Sequence, residues 1–154
     1  MRRLADALYQ IILTWWVGGL WTVGFVVAPM LFSTLAGNRP LAGALAGRLF
    51  ELIGWIGLAC ACYLLPYLLF RLRSTTFKRW HFWLVVVMTL LTAVSLFGIQ
   101  PLLAELKTDA LPREVMESVL RDRFATWHGI SSGLYVLQSV LGLLLISGVL
   151  RGGR

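Results

Sequence analysis

Apolar residues in this chain come in long unbroken runs, not at the spaced positions of a soluble helix or strand. No Asp, Glu, Lys or Arg occurs from Ala7 to Asn38, from Leu52 to Phe70, from Trp80 to Ala104, or from Phe124 to Leu150. A hydrocarbon core about 30 Å thick takes roughly 20 helical residues to cross, and only helices or closed barrels satisfy the backbone there. Barrel strands would alternate apolar and polar positions, and these runs do not. The pattern predicts an all-α fold, an integral membrane bundle of four transmembrane helices at about 8–34, 48–70, 81–103 and 127–149, in a single membrane domain over 1–154. The first run is longer than a span needs, so it tilts or projects into the interface. Arg2 and Arg3 ahead of it imitate a signal peptide, but its length and the lack of a small-residue cleavage site make it an uncleaved first span.

The segment before the fourth run has a different period. From Pro112, a residue suited to a first helical turn, Val115, Met116, Val119 and Leu120 share one face while Glu114, Glu117, Ser118, Arg121 and Asp122 share the other. This predicts a short interfacial amphipathic helix over about 112–124, leading into the fourth span, with Glu117 and Arg121 ordered for an i, i+4 ion pair.

Composition agrees and narrows the class. Apolar residues make up 58% of the 154, charged residues 14%, and the mean hydropathy is +0.79. So few charges cannot cover a soluble surface, which excludes soluble enzymes and secreted disulfide scaffolds. The net charge of +7 would suit a nucleic-acid partner in a soluble protein, but here the cations flank apolar runs, where they meet lipid headgroups. The bilayer is the expected partner and nucleic acid is not. Eight Lys and Arg fall on the side of the termini, four of them (Arg71, Arg73, Lys78 and Arg79) in one short loop. Six fall on the other side, mostly in a loop diluted by acids. The positive-inside rule then puts both termini in the cytoplasm of a multi-pass inner (plasma) membrane protein.

Packing inside lipid calls for small and hydroxyl residues. Gly18, Gly19, Gly24 and Ala28 mark the first span, Gly43 and Gly47 precede the second, Gly54 and Gly57 lie within it, and Gly129 and Gly133 form another small pair. On the fourth span His128, Ser132, Tyr135, Ser139 and Gly142 fall within about 40° of one direction, a polar helix-packing stripe expected to make interhelical hydrogen bonds. Cys60 and Cys62 point roughly 200° apart, which suits neither a disulfide nor a shared metal.

Little chemistry remains. No ionisable acid or base lies mid-span, which argues against proton relay or ion conduction. His81 opens the third span and His128 the fourth, on opposite sides of the bilayer, so the two cannot clasp one haem. His128 alone is a candidate cofactor-binding residue for haem, and His128 with Met30 and Met116 is a candidate metal site for soft copper. No catalytic residue is expected.

Three segments carry a family likeness: GGLWTVGFVVAPMLFSTL at 18–35, AGRLFELIGWIGL at 46–58, and RFATWHGISSGLYVLQSVLGLLL at 123–145. With Phe32, Phe50 and the His-Gly-x-Ser of His128, Gly129 and Ser131, they resemble the domain-of-unknown-function family 4149, related to the transmembrane protein 205 family. The resemblance implies a four-span membrane protein without an established activity. The expected function is a non-enzymatic membrane component that associates with itself or with a larger complex and needs no cofactor. The alternatives are a haem- or copper-binding protein using His128, and oligomeric transport of a small hydrophobic or metal-bearing solute.

Overall fold

The computed structural model describes residues 2–72, 79–108 and 116–152, with side chains for 3–71, 79–106 and 122–148. Every element among them is helical: α1 (Arg2–Trp21), α2 (Ala28–Thr34), α3 (Arg39–Leu72), α4 (Trp80–Val94), α5 (Gln100–Thr108) and α6 (Met116–Gly152). π-helical turns at Thr22–Val27 and Ser95–Ile99 join α1 to α2 and α4 to α5. Four helices are therefore long and apolar enough to cross a membrane, Arg3–Thr34, Arg39–Arg71, Trp80–Leu106 and Asp122–Gly148. Successive spans pack on each other and the fourth returns to the first, closing a four-helix ring.

Local chemistry sets the element ends. The second span starts at Arg39, earlier than the charge pattern alone indicates, because the Asn38 side chain accepts the Leu41 N–H at 3.2 Å and Pro40 occupies the first turn. Each π-helical turn ends just ahead of a proline, Pro29 or Pro101. Pro lacks the N–H that would bond the carbonyl four residues back and its ring presses on that carbonyl, so a widened turn relieves the clash. The helix expected over about 112–124 runs into the fourth span as one continuous α6 from Met116, with no Gly or Pro between Met116 and His128 to break it; residues 112–115 lie outside the described ones.

Buried positions recur every three or four residues, as helix packing requires: Leu13, Trp16, Val17 and Leu20 on the first span, Cys60, Ala61, Leu64 and Leu68 on the second, Phe82, Val85 and Met88 on the third. The other faces stay apolar and exposed, with Phe70 at 86% and Trp15 at 65%. In the most hydrophobic window of each span, no more than 33% of the residues are buried. That ratio is stable only with lipid around the bundle.

The tight half of the bundle is the one holding the chain termini. A Cβ at Gly57 would stand 2.6 Å from Trp16 Nε1, and one at Gly142 would stand 3.0 Å from both Val17 methyls. At this terminal end the Asp6 carboxylate accepts the Tyr67 hydroxyl at 2.5 Å and pairs with Arg71 at 3.4 Å, while the Tyr9 ring stacks on Tyr67 at 4.8 Å. This ties the start of the first span to the end of the second. Cys60 is buried, whereas Cys62, two positions on and pointing the other way, is exposed and not the second buried small residue that its place in an apolar run suggests. Trp15 faces outward, whereas Trp16 is fully enclosed and its indole N–H has no partner.

The glycine contacts yield a paired stability test. Gly57→Ala pushes a methyl into the Trp16 indole and should cost about 1–3 kcal/mol. Gly18→Ala, with open space where its Cβ would stand, should be neutral or slightly stabilising. Thermal unfolding of the two variants in one detergent reads the difference.

Candidate functional site

Away from the termini the ring opens. A cavity of about 780 Å³ lies between the four spans in this far half, walled by Phe25, Phe32, Phe50, Ile53, Leu96 and Phe124. Its polar lining is Thr92, Ser95 and Gln100 on the third span, His128, Ser131, Ser132, Tyr135 and Gln138 on the fourth, and Arg39 at the start of α3. Both π-helical turns contribute, through Gly24 and Phe25 in one and Ser95 and Leu96 in the other. The widening that the two prolines require thus lies along the cavity wall.

Tyr135 holds the first and fourth spans apart. Its hydroxyl donates to the Leu20 carbonyl at 2.6 Å, taking a carbonyl that an α-helical turn would bond to the N–H four residues on. The ring passes so close over Gly24 that a Cβ there would collide with it. On its other side it meets Phe50 edge-on at 5.0 Å. Nearby, the Trp21 indole N–H donates to the Ser139 carbonyl at 3.3 Å.

The remaining stripe residues behave differently from the sequence expectation. Ser139 is 1% exposed and Ser132 is exposed, but each hydroxyl bonds the carbonyl four residues back on its own helix, Tyr135 and His128 respectively. A serine in a helix meets its own i−4 carbonyl without any neighbour's help, so the stripe yields one interhelical side-chain bond, from Tyr135. At Gly142 the Val17 methyls come within 3.0 Å of where a Cβ would stand. Gly129 and Gly133 have nothing within reach of a Cβ and lie off the cavity.

Another interhelical side-chain bond of α6 belongs to a residue outside the stripe. Gln138 donates its amide N–H to the Thr92 hydroxyl at 2.7 Å, and both side chains are buried. Gln138 sits about 80° round the helix from His128, at the stripe's edge. The signal that could have found it is its chemistry: a carboxamide mid-span is expensive unless it has a partner.

His128 lines the cavity with its ring stacked on Phe124 at 5.7 Å. Met30, 65% exposed, is not part of that lining, and the Met116 side chain lies outside the described residues. No three His, Cys, Asp or Glu side chains gather among the described residues. His81 packs against α6 where a Cβ at Gly148 would stand 2.5 Å from its Nε2. Gly148 is 20 positions beyond His128, so the two imidazoles are about 30 Å apart at opposite ends of the bundle.

The family model described as "Domain of unknown function (DUF4149)" matches residues 11–112, about two thirds of the chain. The chain belongs to the DUF4149 family. The matched segment supplies the first three spans and every cavity residue except those of α6. Neither a curated protein nor a solved structure matches this DUF4149 member.

Replacing Tyr135 by Phe removes the hydroxyl and leaves the Leu20 carbonyl without that partner. The expected cost is about 1–2 kcal/mol, with faster amide hydrogen exchange in the turn that follows Leu20. Ser132→Ala, which loses only a bond within its own helix, should stay within about 0.5 kcal/mol of the parent.

Proposed function

We propose that this protein is a non-enzymatic component of the inner (plasma) membrane that holds a small lipid-soluble amphipathic molecule between its spans. The cavity carries this reading. At about 780 Å³ it has the size of a small-molecule site, with apolar walls and a few convergent polar groups. Polar side chains within a membrane span are costly, and a bundle needing only to pack would close over them as the terminal half closes over Trp16. Both termini lie in the cytoplasm in this reading, because the densest cation loop then faces inward. Association with a second copy or a larger complex belongs to it as well, since Gly129 and Gly133 leave open space on α6 for another helix.

Gly43 supplies the test. It lines the cavity and nothing stands within 4 Å of where its Cβ would be, so Gly43→Trp fills the space without displacing a neighbour's Cβ contacts. Native mass spectrometry of the detergent-solubilised protein with N-phenyl-1-naphthylamine, a neutral three-ring probe, should show saturable one-to-one binding. Gly43→Trp should weaken it about tenfold or more, roughly 1.4 kcal/mol. Equal binding by parent and variant would remove the cavity as the site. Reporter fusions at Arg154 and near Asp109 test the orientation and should read cytoplasmic and external respectively.

A second reading makes His128 a haem or copper ligand, favoured by its position on the cavity wall with no hydrogen bond to its ring among the described residues. The visible spectrum and metal content of the purified protein decide it. A chromophore or stoichiometric copper that His128→Ala loses while folding normally would establish the ligand.

A further inference from the structure

The hydrogen bonds around Gln138 point to what the cavity accepts. The Thr92 hydroxyl has one hydrogen, and it is directed to the Met88 carbonyl at 2.8 Å. Towards Gln138, Thr92 can therefore only accept. That fixes the carboxamide: its nitrogen faces Thr92 at 2.7 Å and its oxygen, Oε1, faces away. No donor reaches Oε1 among the described residues.

Gln138 is 5% exposed, and it is one of the residues lining the cavity. Trp16 Nε1 is the one side-chain polar atom among the described residues that is both unpartnered and fully enclosed. Gln138 lines the cavity with its nitrogen already engaged, so Oε1 is the group it has left to offer there. The deep end of the cavity thus presents a fixed hydrogen-bond acceptor near mid-span, aimed into a space walled by aromatic rings.

Other lining groups narrow the class. Tyr135 has its one hydroxyl hydrogen engaged with Leu20 and so offers the cavity no free donor. Phe25, Phe50 and Phe124 add rings, which suit a flat body. Arg39 is the one charged residue in the lining, and it stands at the start of α3, far along the chain from the mid-span floor. No lining group near Gln138 would balance a buried ionic charge, so the group at the floor is neutral. A phospholipid fits poorly, because its chains would meet the carboxamide while its headgroup stayed at the interface.

Resting on the reading of the cavity as a binding site, we infer that it takes a lipid-soluble molecule whose flat ring carries a hydroxyl, of the hydroquinone class, with that hydroxyl donating to Gln138 Oε1. The ring lies among the phenylalanines, and an alkyl tail leaves through the open side of the ring of helices. Thr92 is a positioning residue, acting through Gln138. No electron transfer is part of the inference; the site recognises a donor.

A matched pair of ligands tests this without relying on any variant. Decyl hydroquinone, kept reduced with ascorbate under argon, is compared with its dimethyl ether, which has nearly the same shape and no donor. Native mass spectrometry of the detergent-solubilised full chain gives both affinities. Leaving Oε1 without a donor costs enough for the parent to prefer the hydroquinone about tenfold. Gln138→Met, which keeps the volume and removes the acceptor, should bind both ligands equally and still bind N-phenyl-1-naphthylamine. Thr92→Val, which frees the carboxamide to turn, should reduce the preference to about threefold. Equal binding of the two ligands by the parent overturns the inference, as does a preference that survives in Gln138→Met. Binding of neither also overturns it: if the naphthylamine still binds and Gly43→Trp still blocks it, the cavity remains a site for other molecules, and if the naphthylamine fails too, the proposed function falls with it.

Discussion

The hydroxyl of Tyr135, bonded to the Leu20 carbonyl across from the fourth span, is the contact on which the open half of the bundle depends. An α-helix completes its own hydrogen bonds and offers a neighbour none, so two helices in lipid ordinarily approach until their side chains touch. Here one helix has a turn in which a foreign hydroxyl takes the place of an internal partner. Three conditions permit it: Gly24 has no Cβ to exclude the ring, Pro29 already forces the next turn wide, and Phe50 braces the ring from the second span. The tyrosine acts as a prop between the first and fourth spans, and the cavity is the space it keeps.

The opposite half shows what happens without a prop. At Gly57 and Gly142 the missing side chains let Trp16 and Val17 sink into the facing helices, and the most enclosed large residues (Trp16, Leu13, Leu64, Met88, Leu145) all gather there. The Asp6, Tyr67 and Arg71 cluster closes that end with directional bonds. Glycine therefore plays two opposed parts, drawing helices together at Gly57 and Gly142 and admitting a spacer at Gly24. What decides between them is the residue opposite: an apolar side chain fills the notch, whereas a phenol fills it and bonds the backbone beneath.

The four spans were legible because the cost of a charge in hydrocarbon leaves an unmistakable gap in the sequence, and the two histidines could be set at opposite ends by counting residues. The stripe on the fourth span was legible as a direction but not as a set of bonds. Ser132 and Ser139 each satisfy themselves within one helix, a competition that periodicity does not register. Gln138 was not legible because intramembrane chemistry is marked in a sequence by ionisable groups, while a neutral carboxamide carries the same demand for partners without a charge to mark it. The cavity itself has no local signature. It follows from Pro29 and Pro101 widening two helices at one level and from Tyr135 reaching across to meet the first, a coincidence of positions more than 100 residues apart in sequence.

The family match ends at residue 112, and the division it makes in the cavity is chemically uneven. Within the match lie the glycine notch, both widened turns, Phe25, Phe50 and the Thr92 acceptor. Beyond it lie the prop and the carboxamide, Tyr135 and Gln138, both on α6. Likeness over 11–112 thus carries walls that are able to enclose something, but not the groups that keep them apart or choose what enters. A chain with the same three spans and an apolar residue at the place of Tyr135 would lack the hydroxyl that satisfies the Leu20 carbonyl and would have every reason to close, as the terminal half does. One with the tyrosine but no carboxamide would keep the space and lose its acceptor. Whether a cavity exists and what it prefers are therefore separate properties of the fold, set by two residues one turn apart on a single helix.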